Sequence, residues 1–333
     1  MIQCRHAYKQ TNVRDYYLDT LKGLLIVGIV LIHTVFHSGG SYVPNCIRNI
    51  VLGFDVPLFF FITGCVMATH PNINPLKQMY KLILIFFFGV LLTQICFLHI
   101  SLPKLMQTVY LAGANVPLLK SINASYWFVP MYIVALIYAK IIVNYFKKWV
   151  SLIILIAVPV YYISMWIIDK TSTIYVLGLN VQSFLFYLWL ILFGNEIYKF
   201  KGKKYWLIPL LIAITSTFCF YRFTSDLCMQ SCKFPVKLPY IVLSMISISA
   251  AMLMYKKIRS NIFSKIGKNA LYYYLSQGIG ASIIYLIAKL PIHIWQLKFI
   301  LCFCINLTIT LLLGYIFSLI YPKFEKLFIK NEL

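Results

Sequence analysis

His33 and Asp55 are the side chains of this sequence with the strongest claim to chemistry, because each is an ionisable group set inside a long apolar run. A titratable group in hydrocarbon is costly and is kept for a pathway, a partner or a catalytic step. His33 lies late in LDTLKGLLIVGIVLIHTVFH, a stretch that also holds Asp19, Lys22 and His37. At about 100° per residue, Lys22 and His33 are about 20° apart and Asp19 and His33 about 40° apart, so these side chains share one helix face. His37, one turn beyond His33, extends the polar stripe, as expected of a face that lines a cavity or a bundle interior. Asp55 lies in GFDVPLFFFITG, on the order of 12 Å inside the outer end of its own run at about 1.5 Å per residue. His33 is about five residues from the outer end of the preceding run, so two consecutive antiparallel helices bring the pair to similar depth. A carboxylate beside an imidazole orients the ring and raises its basicity, which is what taking a proton from a hydroxyl requires. A core histidine and a helix-packing carboxylate are the plainer alternatives for the same two residues.

The elements that must hold these groups follow from the rest of the chain. Of 333 residues, 61% are hydrophobic and only 11% charged, against roughly 25% charged in soluble domains. A soluble globule is therefore excluded. Apolar stretches of about 18 residues or more predict spans at 20–38, 47–68, 80–100, 127–146, 149–168, 179–198, 206–222, 239–255, 270–289 and 297–321. The expectation is an all-α integral membrane protein with about ten transmembrane helices in one bundle. It would be a single domain over 1–333, with a head at 1–19 and a tail at 322–333. The first run lacks a small-residue cleavage site and reads as a retained helix.

The net charge of +22 does not point to nucleic acid, because the basic residues sit in short breaks between apolar runs instead of forming a stripe with interleaved aromatics. Twenty lie in the head, the tail and the loops on their side, and nine in the loops opposite, with Lys140 inside a span. By the positive-inside rule both termini are cytoplasmic, and the basic residues meet anionic lipid headgroups. Besides Asp19 and Asp55, the acids outside the solvated ends are Asp169, Glu196 and Asp226. Nine cysteines, most of them single in apolar runs, read as small buried hydrophobes and imply no metal site. Cys228 and Cys232, in an outer loop, are the one pair that an oxidising compartment could join. His6, His70, His99 and His293 lie at ends or in loops and carry no assigned role.

Asp19-x-Leu21-Lys22-Gly23, followed by His33, resembles the first-helix signature of the acyltransferase family 3 integral membrane proteins. That signature has an Arg where Lys22 stands, and Lys22-x10-His33 keeps the spacing to its His. VPLFFFITG at 56–64 resembles the second-helix motif of that family, and SYWFVPMY at 125–132 resembles its Trp-Phe-Leu segment. IGKNALYYYLSQ at 266–277 resembles the late Gly-x-x-Ser-Leu-x-x-Tyr-Leu-x-His segment, with Gln277 in place of the His. Each motif is short, but four in the right order cover essentially the whole chain.

The resemblance implies transfer of an acetyl group from cytoplasmic acetyl-CoA, as co-substrate, to a hydroxyl of a carbohydrate in the bacterial envelope or at the cell surface. The acceptor would be lipid-linked or a growing glycan, and no metal is implied. On that reading His33 is the general base and Asp55 its orienting partner, with an acyl-histidine as the other role for His33. Lys22, Lys77 and Lys81 would meet the phosphates of the donor. Asp19, His37, Tyr126 and Trp127 would contact substrate, with Ser125, Tyr126 and Trp127 at the outer mouth of the fourth span. There an aromatic platform for a sugar ring and an interfacial aromatic belt are alternative readings. The late Gln277 cannot exchange a proton at neutral pH. A secondary transporter or flippase of an envelope precursor is the alternative function, but no inverted repeat or pair of broken helices is visible. A non-catalytic scaffold would need no aligned His and Asp.

Overall fold

The structure is a computed structural model and describes residues 14–39, 42–54, 56–69, 74–98, 100–111, 126–146, 148–168, 174–176, 179–199, 228–256, 258–287 and 291–329. Helices dominate it: α1 (Tyr16–His37), α2 (Asn45–Val51), α3 (Val56–Thr69), α4 (Pro75–Cys96), α5 (Leu102–Val109), α6 (Phe128–Tyr145), α7 (Lys148–Ile167), α8 (Val181–Tyr198), α9 (Leu238–Leu253), α10 (Ile262–Lys268), α11 (Ala270–Ile287) and α12 (Trp295–Ile329). A short antiparallel pair, β1 (Tyr175–Val176) with β2 (Leu179–Asn180), lies between α7 and α8.

Among the described residues, seven helical stretches are long and apolar enough to cross a membrane: Tyr16–His37, Asn45–Thr69, Pro75–Cys96, Phe128–Tyr145, Lys148–Met165, Val181–Tyr198 and Trp295–Glu325. These seven correspond to seven of the ten expected spans. The apolar helix α9 has only 16 residues, about 24 Å at 1.5 Å per residue, which falls short of a hydrocarbon core of about 30 Å. The expected span 206–222 lies outside the described residues. The tail expected from 322 continues α12 as helix to Ile329.

Two helix crossings set the frame. A Cβ on Gly64 of α3 would lie 2.0 Å from the Ile191 carbonyl oxygen of α8, and one on Gly194 of α8 would lie 2.1 Å from the Phe61 carbonyl oxygen of α3. The second crossing joins α1 to α10. There a Cβ on Gly23 would meet the Phe263 carbonyl oxygen at 2.0 Å, and one on Gly267 the Asp19 carbonyl oxygen at 1.7 Å. Without a strong hydrophobic drive between helices in lipid, such backbone approach through small residues is a main source of association. Three of these four glycines belong to the resembling segments, since Gly23 and Gly267 come from the first and last of them and Gly64 ends the second, while Gly194 lies outside them.

Between these crossings the core is aromatic. Phe60 of α3 stacks on Tyr187 of α8 with ring centroids 4.3 Å apart, and Phe128 of α6 packs on Tyr274 of α11 at 4.7 Å. At the N-terminal end of α1, Asp15 caps the helix by accepting from the Tyr17 amide. Its other oxygen accepts from the hydroxyls of Tyr198 and Tyr255, the latter at 3.0 Å. Burial, with the Asp15 carboxylate second, pushes the Tyr255 hydroxyl up to about 12, so it stays a donor and ties the start of α1 to the chain beyond α9.

Candidate active site

The polar stripe of α1 divides between two ends of the bundle. At the N-terminal end the Asp19 carboxylate is 4% exposed and takes two cations, Lys22 Nζ at 2.9 Å and the Arg14 guanidinium. With Asp15 capping the same helix end, the two cations Arg14 and Lys22 balance the two carboxylates Asp15 and Asp19. Asn261, next in space, caps α10 in a reciprocal capping box with Ser264 and donates from Nδ2 to Thr20 Oγ1 at 3.0 Å. Lys81 lies on α4, with its ammonium 2.7 Å from the Glu325 carboxylate of α12. Lys77, on the first turn of the same helix, is exposed. Lys22 and Lys81 are therefore ion-paired, and Lys77 faces outward.

At the opposite end of α1, His33 and His37 stack nearly parallel, with ring centroids 5.1 Å apart and planes 11° from parallel. His33 as a residue is half-buried, while its Nδ1 is buried and has no hydrogen-bond partner among the described residues. Among the described residues, His37 and Lys233 lie within electrostatic range of His33. Asp55, the expected orienting carboxylate, lies outside the described residues, as do Ser125, Asp169 and Asp226.

Lys233 belongs to the turn-rich loop 228–237. It is 6% exposed, and its ammonium stands over the Trp127 ring at 5.3 Å and the Phe234 ring at 5.4 Å. The loop is held in place from two sides. Gln182 Nε2 of α8 donates to the Val236 carbonyl at 2.9 Å, and the Met229 amide donates to Asn49 Oδ1 at 3.2 Å. Trp127, just before α6, also packs edge-on against Phe234 at 4.9 Å. A cation held over two aromatic faces at 6% exposure is partly desolvated. In the same loop Cys228 and Cys232 are both free. Backbone donation from Ser231 pulls the exposed Cys228 thiol below its usual range, while burial pushes Cys232 up.

Tyr126 does not sit beside Trp127 as a stacking surface. It is 1% exposed, its hydroxyl donates to the Leu275 carbonyl of α11 at 2.8 Å, and Thr93 Oγ1 of α4 lies at 2.8 Å. Its ring fills the space that a side chain at Gly278 would need. Tyr126 is thus a core post between α4, α6 and α11, while Trp127 is half-buried against Phe234 and Lys233.

Two residues of the site were missed by sequence reasoning. Lys233 looked like one more basic loop residue, and only the folding of its loop against Trp127 distinguishes it. Asn306 of α12 is fully buried and donates from Nδ2 to the Val30 carbonyl at 3.3 Å and to Thr34 Oγ1 at 3.2 Å, which fixes α12 against the His33 level of α1. An Asn inside the apolar run of α12 was the available signal. Among the described residues, no group of three or more His, Cys, Asp and Glu is placed to hold a metal ion.

A family model described as an acyltransferase domain matches residues 15–319, nearly the whole chain. No curated protein and no solved structure matches it. The chain belongs to the acyltransferase family 3 and is a membrane acyltransferase.

Proposed function

We propose that this acyltransferase moves an acetyl group from acetyl-CoA to a hydroxyl of an envelope or surface polysaccharide, with His33 as the general base. The observation that carries the reading is the His33 ring itself. It sits on the polar stripe of α1, stacked on His37, with a buried Nδ1 that has no hydrogen-bond partner among the described residues. The imidazole takes the proton of the acceptor hydroxyl as its oxygen attacks the acetyl carbonyl. The resulting oxyanion collapses, the carbon–sulfur bond breaks, and the imidazolium returns the proton to the leaving thiolate. A fixed ammonium nearby favours the oxyanion because it requires no reorganisation as the charge develops.

Lys22, held on Asp19 at the N-terminal end of α1, and the exposed Lys77 on α4 are the cations that would meet the phosphates of the donor, with Lys81 joining them if it leaves Glu325. With both termini on the cytoplasmic side of a bacterial inner membrane, as the 20 to 9 split of basic residues suggests, donor and acceptor approach from opposite ends of one helix. A lipid-linked or growing glycan meets a site at the His33 end more readily than a soluble metabolite does. NMR of surface glycans from cells with and without the gene tests the acceptor. Loss of O-acetyl resonances is expected, and unchanged glycans beside an altered lipid or amine pool would overturn the polysaccharide assignment.

Lys233→Met keeps a long side chain between Trp127 and Phe234 and removes the charge. It is expected to lower kcat on the order of 10²-fold, with little change in the acetyl-CoA concentration needed, and Lys233→Arg is expected to recover part of the loss. A Met variant with normal kcat would show that the cation only packs the loop.

A further inference from the structure

Gln277 of α11 is fully buried, and neither its Oε1 nor its Nε2 has a hydrogen-bond partner. Burying an amide with both ends unmet costs stability, so a side chain in that state is explained by a ligand that supplies the missing bonds. Its direction follows from its neighbours. Gly280 and Tyr273 of α11 face α12, where they meet Asn306 and Gly314. Tyr274 and Gly278 face the start of α6, where they meet Phe128 and, just before the helix, Tyr126. The far side is closed by α4, with Leu275 against Gly89 and Phe88 of α4 against Tyr321 of α12. At about 100° per residue Gln277 falls in the remaining sector, between the α12 and α6 faces, and there α1 packs on both α11 and α12.

Its depth follows from Asn306, which touches Gly280 on one side and Val30 and Thr34 on the other. The two helices run parallel, since Asp19 of α1 meets Gly267 just before α11. Gln277, three residues before Gly280, therefore lies about 4.5 Å nearer the Asp19 end than the level of Val30 to Thr34. It stands roughly one turn from His33, on the side from which the donor would arrive.

We infer that Gln277 is a donor-binding residue that pairs with the amide of the pantetheine arm nearest the thioester. The inference rests on the acetyl-CoA reading above. A primary amide offers both a donor and an acceptor, and the –NH–CO– group needs one of each. The carbonyl carbon of that amide is four bonds from the thioester sulfur, about 5 Å along an extended chain, which matches the offset between Gln277 and the His33 level. A histidine at this position would offer a donor and an acceptor on a ring of different reach, so the Gln is suited to the donor rather than to proton transfer.

The test uses the full-length protein in detergent with coenzyme A as the probe, read by calorimetry and thermal unfolding. Gln277→Leu and Gln277→Met remove the unmet polar atoms at similar volume. Both are expected to melt at or above wild type without ligand, to bind coenzyme A at least tenfold more weakly, and to lose the ligand-induced rise in melting temperature. Wild type is also expected to use N,S-diacetylcysteamine in preference to S-butyl thioacetate, which lacks the amide, and the variants to lose that preference. Variants that bind coenzyme A as wild type does would overturn the role of Gln277 alone. Wild type that binds no coenzyme A would overturn the donor reading and this inference with it.

Discussion

His33→Gln is expected to leave the protein inserted and folded while cutting acyl transfer by about 10²–10⁴-fold, the usual cost of removing a general base. Gln nearly fills the space of the imidazole and keeps a hydrogen-bonding group, but it cannot hold the proton between attack and thiolate departure. His37 gives the internal comparison, because it stacks on His33 with centroids 5.1 Å apart and lies one turn nearer the end of α1. His37→Gln removes a neighbour of the base and leaves the base itself, so a smaller loss is expected, with both variants retaining coenzyme A binding. The decisive measurement is single-turnover transfer by purified protein matched for coenzyme A binding. Near-normal turnover in His33→Gln would make His33 a packing residue, and the interior stripe of α1 would then need another explanation.

The parts of this architecture that were legible in the sequence are those that depend on local pattern. The apolar runs gave the helices around His33, and the angular arithmetic that puts Asp19, Lys22, His33 and His37 on one face applies because α1 is one unbroken helix from Tyr16 to His37. What was not legible depends on contacts between distant segments. Tyr126 and Trp127 are adjacent and look alike in a window of sequence, yet the missing side chain at Gly278 draws one into the core and the loop at 228–237 draws the other to Lys233. Lys81 looked free for a phosphate because Glu325, more than two hundred residues later, gave no sign of packing beside it. Hydropathy likewise did not fix the length of α9, whose helix closes at Leu253 after 16 residues. Gln277 marked itself only as a departure from a resembling segment. Its meaning came from the burial of both amide atoms without partners.

The largest structural effect is expected at the crossing of α1 and α10. A Cβ at Gly267 would lie 1.7 Å from the Asp19 carbonyl oxygen and 2.8 Å from the Gly23 amide nitrogen. All of these are backbone atoms, so no rotamer change relieves the clash and the two helices must separate. Gly267→Ala is expected to cost about 1–3 kcal/mol as an overpacked contact, and Gly267→Leu enough to undock α10 from α1. The damage should reach chemistry as well. The same contact holds Asp19, and with it Lys22, at one end of the helix whose other end carries His33. Gly53→Ala serves as the comparison, since its Cβ would meet only the Ser247 hydroxyl at 3.3 Å and a Leu243 methyl at 3.7 Å. Thermal unfolding of the three variants in detergent should order them as Gly53→Ala near wild type, Gly267→Ala lower, and Gly267→Leu lowest or not recovered. A Gly267→Leu protein that melts with wild type would mean that the first and last resembling segments do not meet backbone to backbone. The placement of Gln277 one turn from His33, which is built on the same parallel pairing of α1 and α11, would then fail as well.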